Sequence, residues 1–268
     1  MKISGSTILI TGASGGIGGA ISHELAGSGA RLLLVSRNRP RLEAFAAKLR
    51  QSGAEVLTLI GDLAEPGEVA RLAAQALEQA GHIDILMNCA GVQTFGFAAG
   101  EVATDTTALF QVNTLAPIML INALLPHMLQ RGKGQIVNLG SIFGSIGFPY
   151  FASYSASKFA LRGFSEALRR ELAGTGVGVT YVAPRFTRTA FNGSAVTRMA
   201  NALKMNQDEP ELVAARVVAA VERDLCDLYL GWPEKLFVRI NALLPRLVDP
   251  SLTKQAGQMR QFAIESAL

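Results

Sequence analysis

The most informative pair of reactive side chains in this sequence is a tyrosine followed by a lysine. Tyr154 and Lys158 lie in SYSASKFAL, and a spacing of four places both side chains on one face of a helix. A phenol with a pKa of about 10 is a poor acid–base catalyst at neutral pH. A neighbouring ammonium group stabilises the phenolate and lowers that pKa. The pair therefore indicates proton transfer by a tyrosine, although the spacing alone is common on helices.

A glycine-rich segment near the N-terminus predicts that the chain binds a dinucleotide. TILI is followed by TGASGGIGGA, with glycines at 12, 15, 16, 18 and 19 where a helix begins. Residues without a Cβ let backbone amides and the helix N-terminus approach a pyrophosphate. A tight junction between strand and helix would also use glycine, but here the first strand, the helix and the following strand are all present.

The residues after the second apolar run favour NADP(H) over NAD(H). LLLVSRNRPR continues into Ser36 and Arg37, and no acidic residue occurs before Glu43. NAD enzymes usually have an acidic residue here for the ribose hydroxyls, whereas a guanidinium can bind a 2′-phosphate through two hydrogen bonds. We expect Arg37 to bind the phosphate, with Ser36 and Asn38 assisting. Arg39 and Arg41 are interpreted as solvated residues at a helix start.

Short apolar segments alternate with longer helical segments along most of the chain. The segments that we predict as strands are 7–11, 30–36, 54–62, 83–91, 134–141, 177–184 and 226–232. The predicted helices are 16–28, 40–52, 66–80, 103–130, 154–173 and 209–224. Most of the strands are almost continuously apolar, which is typical of a parallel sheet that is buried on both faces. The pattern predicts a single α/β domain, a Rossmann-type doubly wound parallel sheet of about seven strands with helices on both faces. Ligands of such sheets bind beyond the carboxyl ends of the strands.

Composition excludes several other classes of function. The 268 residues are 49% hydrophobic and carry a net charge of +4, with the cations scattered rather than clustered, so we expect no nucleic-acid binding. Two cysteines in apolar stretches, Cys89 and Cys226, suit free thiols in a reducing compartment. The N-terminus does not resemble a secretory signal, and the apolar run from Leu115 is too short and interrupted to span a bilayer. We expect a cytoplasmic protein that binds no metal.

These motifs together resemble those of the classical short-chain dehydrogenase/reductase family over residues 1 to about 230. The glycine segment has the family's TGxxxGxG form, NCAG at 88–91 stands for its usual NNAG, and Ser141 and Asn113 complete an Asn–Ser–Tyr–Lys set. The resemblance implies four catalytic residues. Ser141 binds the substrate carbonyl oxygen, Tyr154 donates a proton, Lys158 lowers the tyrosine pKa and binds the nicotinamide ribose, and Asn113 holds a water that relays protons. The implied cofactor-binding residues are Gly12, Ser14, Gly16, Ile17, Gly18, Ser36, Arg37, Asp62, Leu63, Asn88, Ala90, Gly91, Tyr154, Lys158, Pro184 and Thr189.

The segments that line the substrate pocket in the resembled family are rich in phenylalanine here. The candidate substrate residues are Phe95, Phe143, Phe148, Phe151, Arg185 and Phe186. We therefore expect a lipophilic carbonyl substrate, and fatty acyl, terpenoid, steroid and aromatic ketones all stay open. Arg185 stands in VAPRFTRT where the family usually has glycine. Its side chain lines the cofactor cleft, meets an anionic substrate group or turns outward, and we expect Arg188 to be solvated.

The residues from 231 to 268 extend beyond the common core of the family. The stretch 232–250 has an apolar helical face flanked by Lys235, Arg239 and Arg246, with Pro245 expected to kink or end the helix. Such a face packs on the protein or a sister subunit, or lies on a membrane surface. By analogy with the family we expect a homodimer or homotetramer formed through the long helices 103–130 and 154–173. The expected activity is NADPH-dependent reduction of a ketone or aldehyde to an alcohol. The alternatives are a 3-oxoacyl-thioester reductase and a non-catalytic cofactor sensor or scaffold.

Overall fold

A computed structural model describes residues 1–266 and has the predicted alternation of strands and helices. The strands are β1 Thr7–Thr11, β2 Arg31–Ser36, β3 Glu55–Ile60, β4 Ile85–Asn88, β5 Gly134–Leu139, β6 Val177–Ala183 and β7 Asp227–Tyr229. The helices are α1 Gly16–Ala26, α2 Arg39–Gln51, α3 Glu68–Ala80, α4 Ala103–Phe110, α5 Ala116–Arg131, α6 Ala152–Glu171, α7 Ser194–Ala202, α8 Pro210–Glu222, α9 Glu234–Leu243 and α10 Asp249–Glu265. Most strands end one to three residues earlier than the sequence predicts.

The strands of residues 1–266 form one parallel sheet in the order β3-β2-β1-β4-β5-β6-β7. Both β1 and β5 are buried along their whole length, because helices cover the two faces of the sheet. From β1 the chain adds β2 and β3 toward one edge of the sheet, whereas from β4 it adds β5, β6 and β7 toward the other edge. A crevice therefore opens beyond the carboxyl ends of β1 and β4, the position at which doubly wound sheets bind ligands. The predicted fold class is confirmed.

Two apolar layers hold the helices on the sheet. One layer packs α1, α2 and α8 through side chains that include Ile21, Leu42 and Val217. The other packs α3, α5 and α6 through side chains that include Leu72 and Leu120. A fully buried aliphatic side chain contributes about 1.5–3 kcal/mol, so these layers fix the strand ends that carry the site.

The helix predicted over 103–130 is continuous from Ala103 to Arg131 but changes its winding in the middle. Residues Gln111–Leu115 form a π-helical segment between α4 and α5. By length and composition alone this helix could cross a membrane, since its apolar window has a mean hydropathy of 1.6, so the expectation that the run is too short and interrupted was wrong. Half of its apolar window is instead buried inside the protein, where α5 packs against α3 and β5. This helix is therefore a core helix of the domain.

The stretch 232–250 is not one helix, because α9 ends at Leu243 and Pro245 begins a short 3-10 turn. This agrees with the helix end expected at the proline. Val238 on α9 is buried against β6 and the turn after β5, whereas α10 packs against α7 through Met259 and Phe262. The part of the extension that the structure describes, residues 231–266, thus lies on the sheet domain.

Candidate active site

The turn after β1 approaches the neighbouring strand so closely that two of its residues must be glycine. Gly12 has φ +67°, and a Cβ there would lie 2.8 Å from the Ala90 Cα. A Cβ on Gly18 would lie 2.5 Å from the Gly12 carbonyl oxygen. These contacts pack the N-terminus of α1 against β4. The first-turn amides of α1 are thereby aimed into the crevice.

One continuous cavity of about 970 Å³ runs from this turn to the predicted catalytic residues. It is lined by the predicted cofactor residues Gly12, Ser14, Gly16, Ile17, Ser36, Arg37, Ala90, Gly91, Tyr154, Lys158, Pro184 and Thr189. A long cavity with a helix N-terminus in the middle and hydroxyl and guanidinium groups at one end fits an extended dinucleotide.

Other predicted cofactor residues do not line this cavity. Gly18 packs inside the turn, and the Asn88 amide is buried, where it donates to Asn138 Oδ1 at 2.9 Å. Leu63 is buried, and Asp62 accepts from the Ala64 amide at 3.0 Å. Of these four residues, Gly18, Asn88 and Leu63 are buried, whereas Asp62 is partly exposed and lies 3.6 Å from the Arg37 guanidinium. Their contacts with a cofactor stay a prediction.

The end of β2 carries polar groups suited to a phosphate. The Ser36 and Ser14 hydroxyls are hydrogen-bonded at 2.7 Å, and Arg37 is exposed with its guanidinium 3.6 Å from Asp62. The Asn38 side chain caps the N-terminus of α2, because its Oδ1 accepts a hydrogen bond from the Arg41 amide at 2.9 Å. Arg41 is exposed in the first turn of α2, as predicted, and its side chain also lines the cavity. Its Nη2 lies 3.3 Å from the place that a Cβ on Gly15 would take.

The catalytic candidates meet at the opposite end of the cavity. Ser141 is the second residue after β5, and Tyr154 and Lys158 face the same space from the first turns of α6. Lys158 Nζ donates to the Leu139 carbonyl at 3.0 Å and lies 5.9 Å from the centre of the Tyr154 ring. The spacing of four residues thus brings phenol and ammonium together, and β5 delivers the hydroxyl.

Tyr181 on β6 supports the backbone of Ser141, a contact that no sequence motif indicates. Its hydroxyl donates to the Ser141 carbonyl at 3.3 Å and accepts from the Ser141 amide at 3.4 Å. A Cβ on Gly140 would lie 2.2 Å from this ring. Absence of that Cβ lets the Tyr181 ring reach the backbone of Ser141.

Burial controls the protonation of the catalytic pair. It raises the pKa of Tyr154 to about 12, against an opposing hydrogen bond with Ser141. Burial likewise lowers the pKa of Lys158 to about 8. The expected lowering of the tyrosine pKa by the lysine is not seen in this structure, where burial dominates and Ser141 is the group that opposes it. At neutral pH the phenol is protonated and can donate a proton.

Asn113 lies in the π-helical segment and does not line the cavity. Its Nδ2 donates to the Val92 carbonyl at 2.8 Å and the Ser157 hydroxyl at 3.0 Å, and its Oδ1 accepts from the Val92 amide at 2.9 Å. The side chain fastens the loop after β4 to α6. Asn113 therefore positions this loop, and its Oδ1 keeps a second acceptor position, so the predicted contact with a water stays a prediction.

Cys89 lies in the same wall as Lys158, at the position where the resembled family usually has asparagine. Burial raises the pKa of this thiol to about 12, so it stays protonated at neutral pH and is a poor nucleophile.

The space around Tyr154 is aromatic. The Phe143 and Phe148 rings stack with centres 4.5 Å apart, and the Phe143 and Phe151 rings are 5.1 Å apart. Both Phe143 and Phe151 touch the Tyr154 ring, at 6.1 and 6.4 Å. Phe95 does not line the cavity but packs behind Phe151 at 4.9 Å. Four of the predicted phenylalanines, including Phe186, line the cavity.

The wall opposite these rings comes from α7 and the C-terminal extension. Its apolar residues are Val196, Met199, Leu203, Met205, Phe237, Ile240, Leu247, Val248 and Leu252. The amphipathic pattern of 232–250 was visible in the sequence, but nothing in it assigned that face to the cavity.

Arg185 holds two loops and the extension together. Its guanidinium binds both carboxylate oxygens of Asp208, at 2.7 and 3.0 Å, and donates to Glu234 Oε2 at 3.0 Å. Gly231 makes room, because a Cβ there would lie 2.5 Å from the Arg185 Cδ. The side chain borders the cavity, but its charge is neutralised inside the protein. The predicted contact with an anionic substrate group therefore has no free cation here, whereas Arg188 is exposed as expected.

Known proteins with similar sequences and structures agree with this geometry. A family model described as short chain dehydrogenase matches residues 6–200. The chain is 32% identical to the ketoacyl reductase HetN of Nostoc sp. over 254 residues, which cover 92% of this chain and 88% of that protein. A short-chain dehydrogenase/reductase from Burkholderia phymatum in complex with NAD superposes with a TM-score of 0.84 at 27% identity, covering 92% of this chain and 96% of the other. A short-chain dehydrogenase from Sphingobium yanoikuyae in complex with NADPH superposes with a TM-score of 0.78 at 30% identity, covering 91% and 96%. The sheet, the glycine turn and the family match together show that this chain belongs to the short-chain dehydrogenase/reductase family, whose members are oxidoreductases that use a nicotinamide cofactor.

Proposed function

We propose that this protein is an NADPH-dependent reductase of a lipophilic ketone or aldehyde. One observation carries the proposal: the glycine turn and the Ser141–Tyr154–Lys158 group line the same cavity, whose far end is apolar. Binding of a dinucleotide along the turn would bring its reactive end to the phenol.

The preference for NADP(H) rests on the charge at the end of β2. Ser36, Arg37 and Arg41 line this end of the cavity. A guanidinium group binds a phosphate more strongly than it binds ribose hydroxyls. Asp62 is the nearby carboxylate, and Arg37 lies 3.6 Å from it. Solved relatives of the chain include complexes with NAD and with NADPH, so this preference needs its own measurement.

The catalytic step follows from the positions of three side chains. Bound NADPH would supply a hydride to the carbonyl carbon. The Ser141 hydroxyl orients the carbonyl oxygen, and the protonated Tyr154 donates its proton to the oxygen that becomes the alcohol. Lys158 places a positive charge beside the phenol as it loses that proton. The surrounding phenylalanines exclude water.

An apolar far end favours a lipophilic substrate over a sugar, which would require more hydrogen-bonding side chains. Reduction of a 3-oxoacyl thioester is the second candidate, and the similarity to a protein named ketoacyl reductase favours it. A cofactor sensor would have no need for the serine, tyrosine and lysine at the cavity end. Measurement of NADPH oxidation with acyl thioesters, steroids, sugars and aromatic ketones distinguishes these options.

The central test is Tyr154→Phe. We expect loss of turnover with NADPH binding retained, because the ring keeps its packing and only the transferable proton is removed. Phe97→Leu, a substitution in an exposed ring outside the catalytic group, is the matched control and should keep turnover. Unchanged turnover in Tyr154→Phe would contradict the proposed role.

We further propose that the enzyme is a homo-oligomer that works in the reducing cytoplasm. Leu115, Met119 and Phe159 are large apolar side chains exposed on the packed helices α5 and α6 and the π segment, and a second copy would bury them. Cys89 and Cys226 are free thiols, which suits a reducing compartment. Light scattering of the wild type and of Phe159→Ser measures this assembly.

A further inference from the structure

An exposed apolar surface surrounds α9 and the turn that follows it. This C-terminal patch consists of Trp232, Leu236, Leu243, Leu244 and Leu247, whose exposed fractions are 68, 40, 81, 58 and 66%. Single exposed leucines are common on protein surfaces, but a contiguous group of this kind usually marks an interaction site.

The patch is bordered by cations. Lys235 and Arg239 on α9 and Arg246 in the following turn are exposed. Within residues 1–266, no carboxylate lies within 4 Å of any of the three. Glu234, the acidic residue on α9, is bound by Arg185 at 3.0 Å and so does not neutralise them. The surface thus combines large apolar side chains with uncompensated positive charge.

The same helix connects the patch to the cavity. Phe237 and Ile240 on α9 and Leu247 in the following turn line the cavity, whereas Leu243 at the end of α9 has its side chain in solvent. The patch therefore lies beside the part of the cavity that the extension closes. Whatever binds the patch is next to the lipophilic end of the cavity.

We propose that the C-terminal patch binds peripherally to an anionic lipid bilayer. A tryptophan, leucines and basic residues on a short helix are the composition that lies in a membrane interface, with the apolar side chains among the lipids and the cations at the headgroups. A second copy of this chain fits less well, because a twofold contact would place the same three cations of both copies together without acidic partners. This binding does not depend on the proposed reaction.

Vesicle co-sedimentation of the full chain tests this directly. We expect the protein to sediment with vesicles of phosphatidylcholine and phosphatidylglycerol and much less with phosphatidylcholine alone. Trp232 is the single tryptophan of the chain, so its fluorescence reports on the patch itself. Its emission should move to shorter wavelength as anionic vesicles are added.

Matched variants separate the charge from the apolar surface. Arg239→Gln with Arg246→Gln should weaken binding to anionic vesicles roughly 30-fold, at about 1 kcal/mol for each cation near the surface. Leu243→Ser with Leu244→Ser should weaken binding at least roughly tenfold and abolish the spectral shift. The controls carry the same types of change on α8 and at its C-cap, namely Arg216→Gln with Arg223→Gln, and Leu212→Ser. NADPH binding verifies that every variant is folded.

Three results would overturn the proposal. The first is equal sedimentation with neutral and anionic vesicles, which would show that the cations do not direct the binding. The second is equal losses in the α8 controls, which would show that the patch is not the binding surface. The third is analytical ultracentrifugation showing a wild-type dimer that Leu243→Ser with Leu244→Ser abolishes, because a second copy would then cover the patch. None of these results affects the proposed reaction, which is measured with a water-soluble carbonyl substrate in the absence of lipid.

Discussion

Arg185 stands where the family usually has glycine, and its ion pair allows this departure to be tested through its effect on stability. The guanidinium forms a two-bond contact with Asp208, and the two side chains are only 18 and 10% exposed. Arg185→Gln leaves Asp208 and Glu234 as partly buried carboxylates without their cation. Removing one partner of a buried pair costs about 3–5 kcal/mol, and partial exposure places the expected loss near 3 kcal/mol. For 268 residues this corresponds to a decrease in Tm of roughly 5 °C.

The assay is chemical and thermal unfolding of four proteins: wild type, Arg185→Gln, Asp208→Asn and the double variant. Because the two residues contact each other, we expect the double variant to lose at least about 1 kcal/mol less than the sum of the single losses. Arg188→Gln is the matched control. Its ion pair with Glu209 at 2.6 Å lies on the same loop, but both side chains are more than half exposed, so the expected change is under about 1 kcal/mol. Strict additivity, or a loss in Arg185→Gln no larger than in Arg188→Gln, would refute this account of Arg185.

Three further predictions concern the cavity. Lys158→Met should abolish activity yet raise the unfolding free energy by up to about 3 kcal/mol at pH 7, because burial lowers the pKa of Lys158 from 10.5 to about 8. The ionised lysine destabilises the fold fully below about pH 8, and this penalty is lost as the pH rises toward 10.5. Denaturant titrations should therefore show that the unfolding free energy of Lys158→Met exceeds that of the wild type by about 2 kcal/mol at pH 9. A difference between the two proteins that grows with pH would contradict the argument. Tyr181→Phe should lower kcat several-fold with KM for NADPH unchanged, since it removes two weak bonds to the Ser141 backbone; a change in KM alone would exclude a positioning role. Arg41→Ala and Arg37→Ala should each raise KM for NADPH more than KM for NADH, and equal effects on the two cofactors would argue against phosphate binding.

Much of the fold could be predicted because its signals are local. Continuous apolar runs of strand length and the glycine turn at residues 12–18 depend on neighbours in the chain, and they give the sheet and its first crossover. Strand ends were less accurate, as at β4, which ends at Asn88 rather than 91 because the following residues turn away toward the cavity. The π segment around Asn113 was not predictable, since its residues are compatible with an ordinary helix.

The candidate site divides in the same way. Tyr154 and Lys158 were recognisable because a fixed spacing on one helix determines their proximity, and the resemblance to the short-chain dehydrogenase/reductase family implied Ser141. The position of Arg41 could not be read, because it depends on how α2 leaves Asn38 and passes the glycine turn. The support of Ser141 by Tyr181 depends on two adjacent strands and on the missing Cβ of Gly140.

By itself the sequence determined the α/β architecture, the dinucleotide turn and the residue types able to transfer a proton. Tertiary structure decided how Arg185 is used, because its partners Asp208 and Glu234 lie 23 and 49 residues further along the chain. It also decided which side of the extension closes the cavity and which remains in solvent. The physical reason is that periodicity shows that a helix has an apolar face, whereas only packing against other elements determines what that face touches.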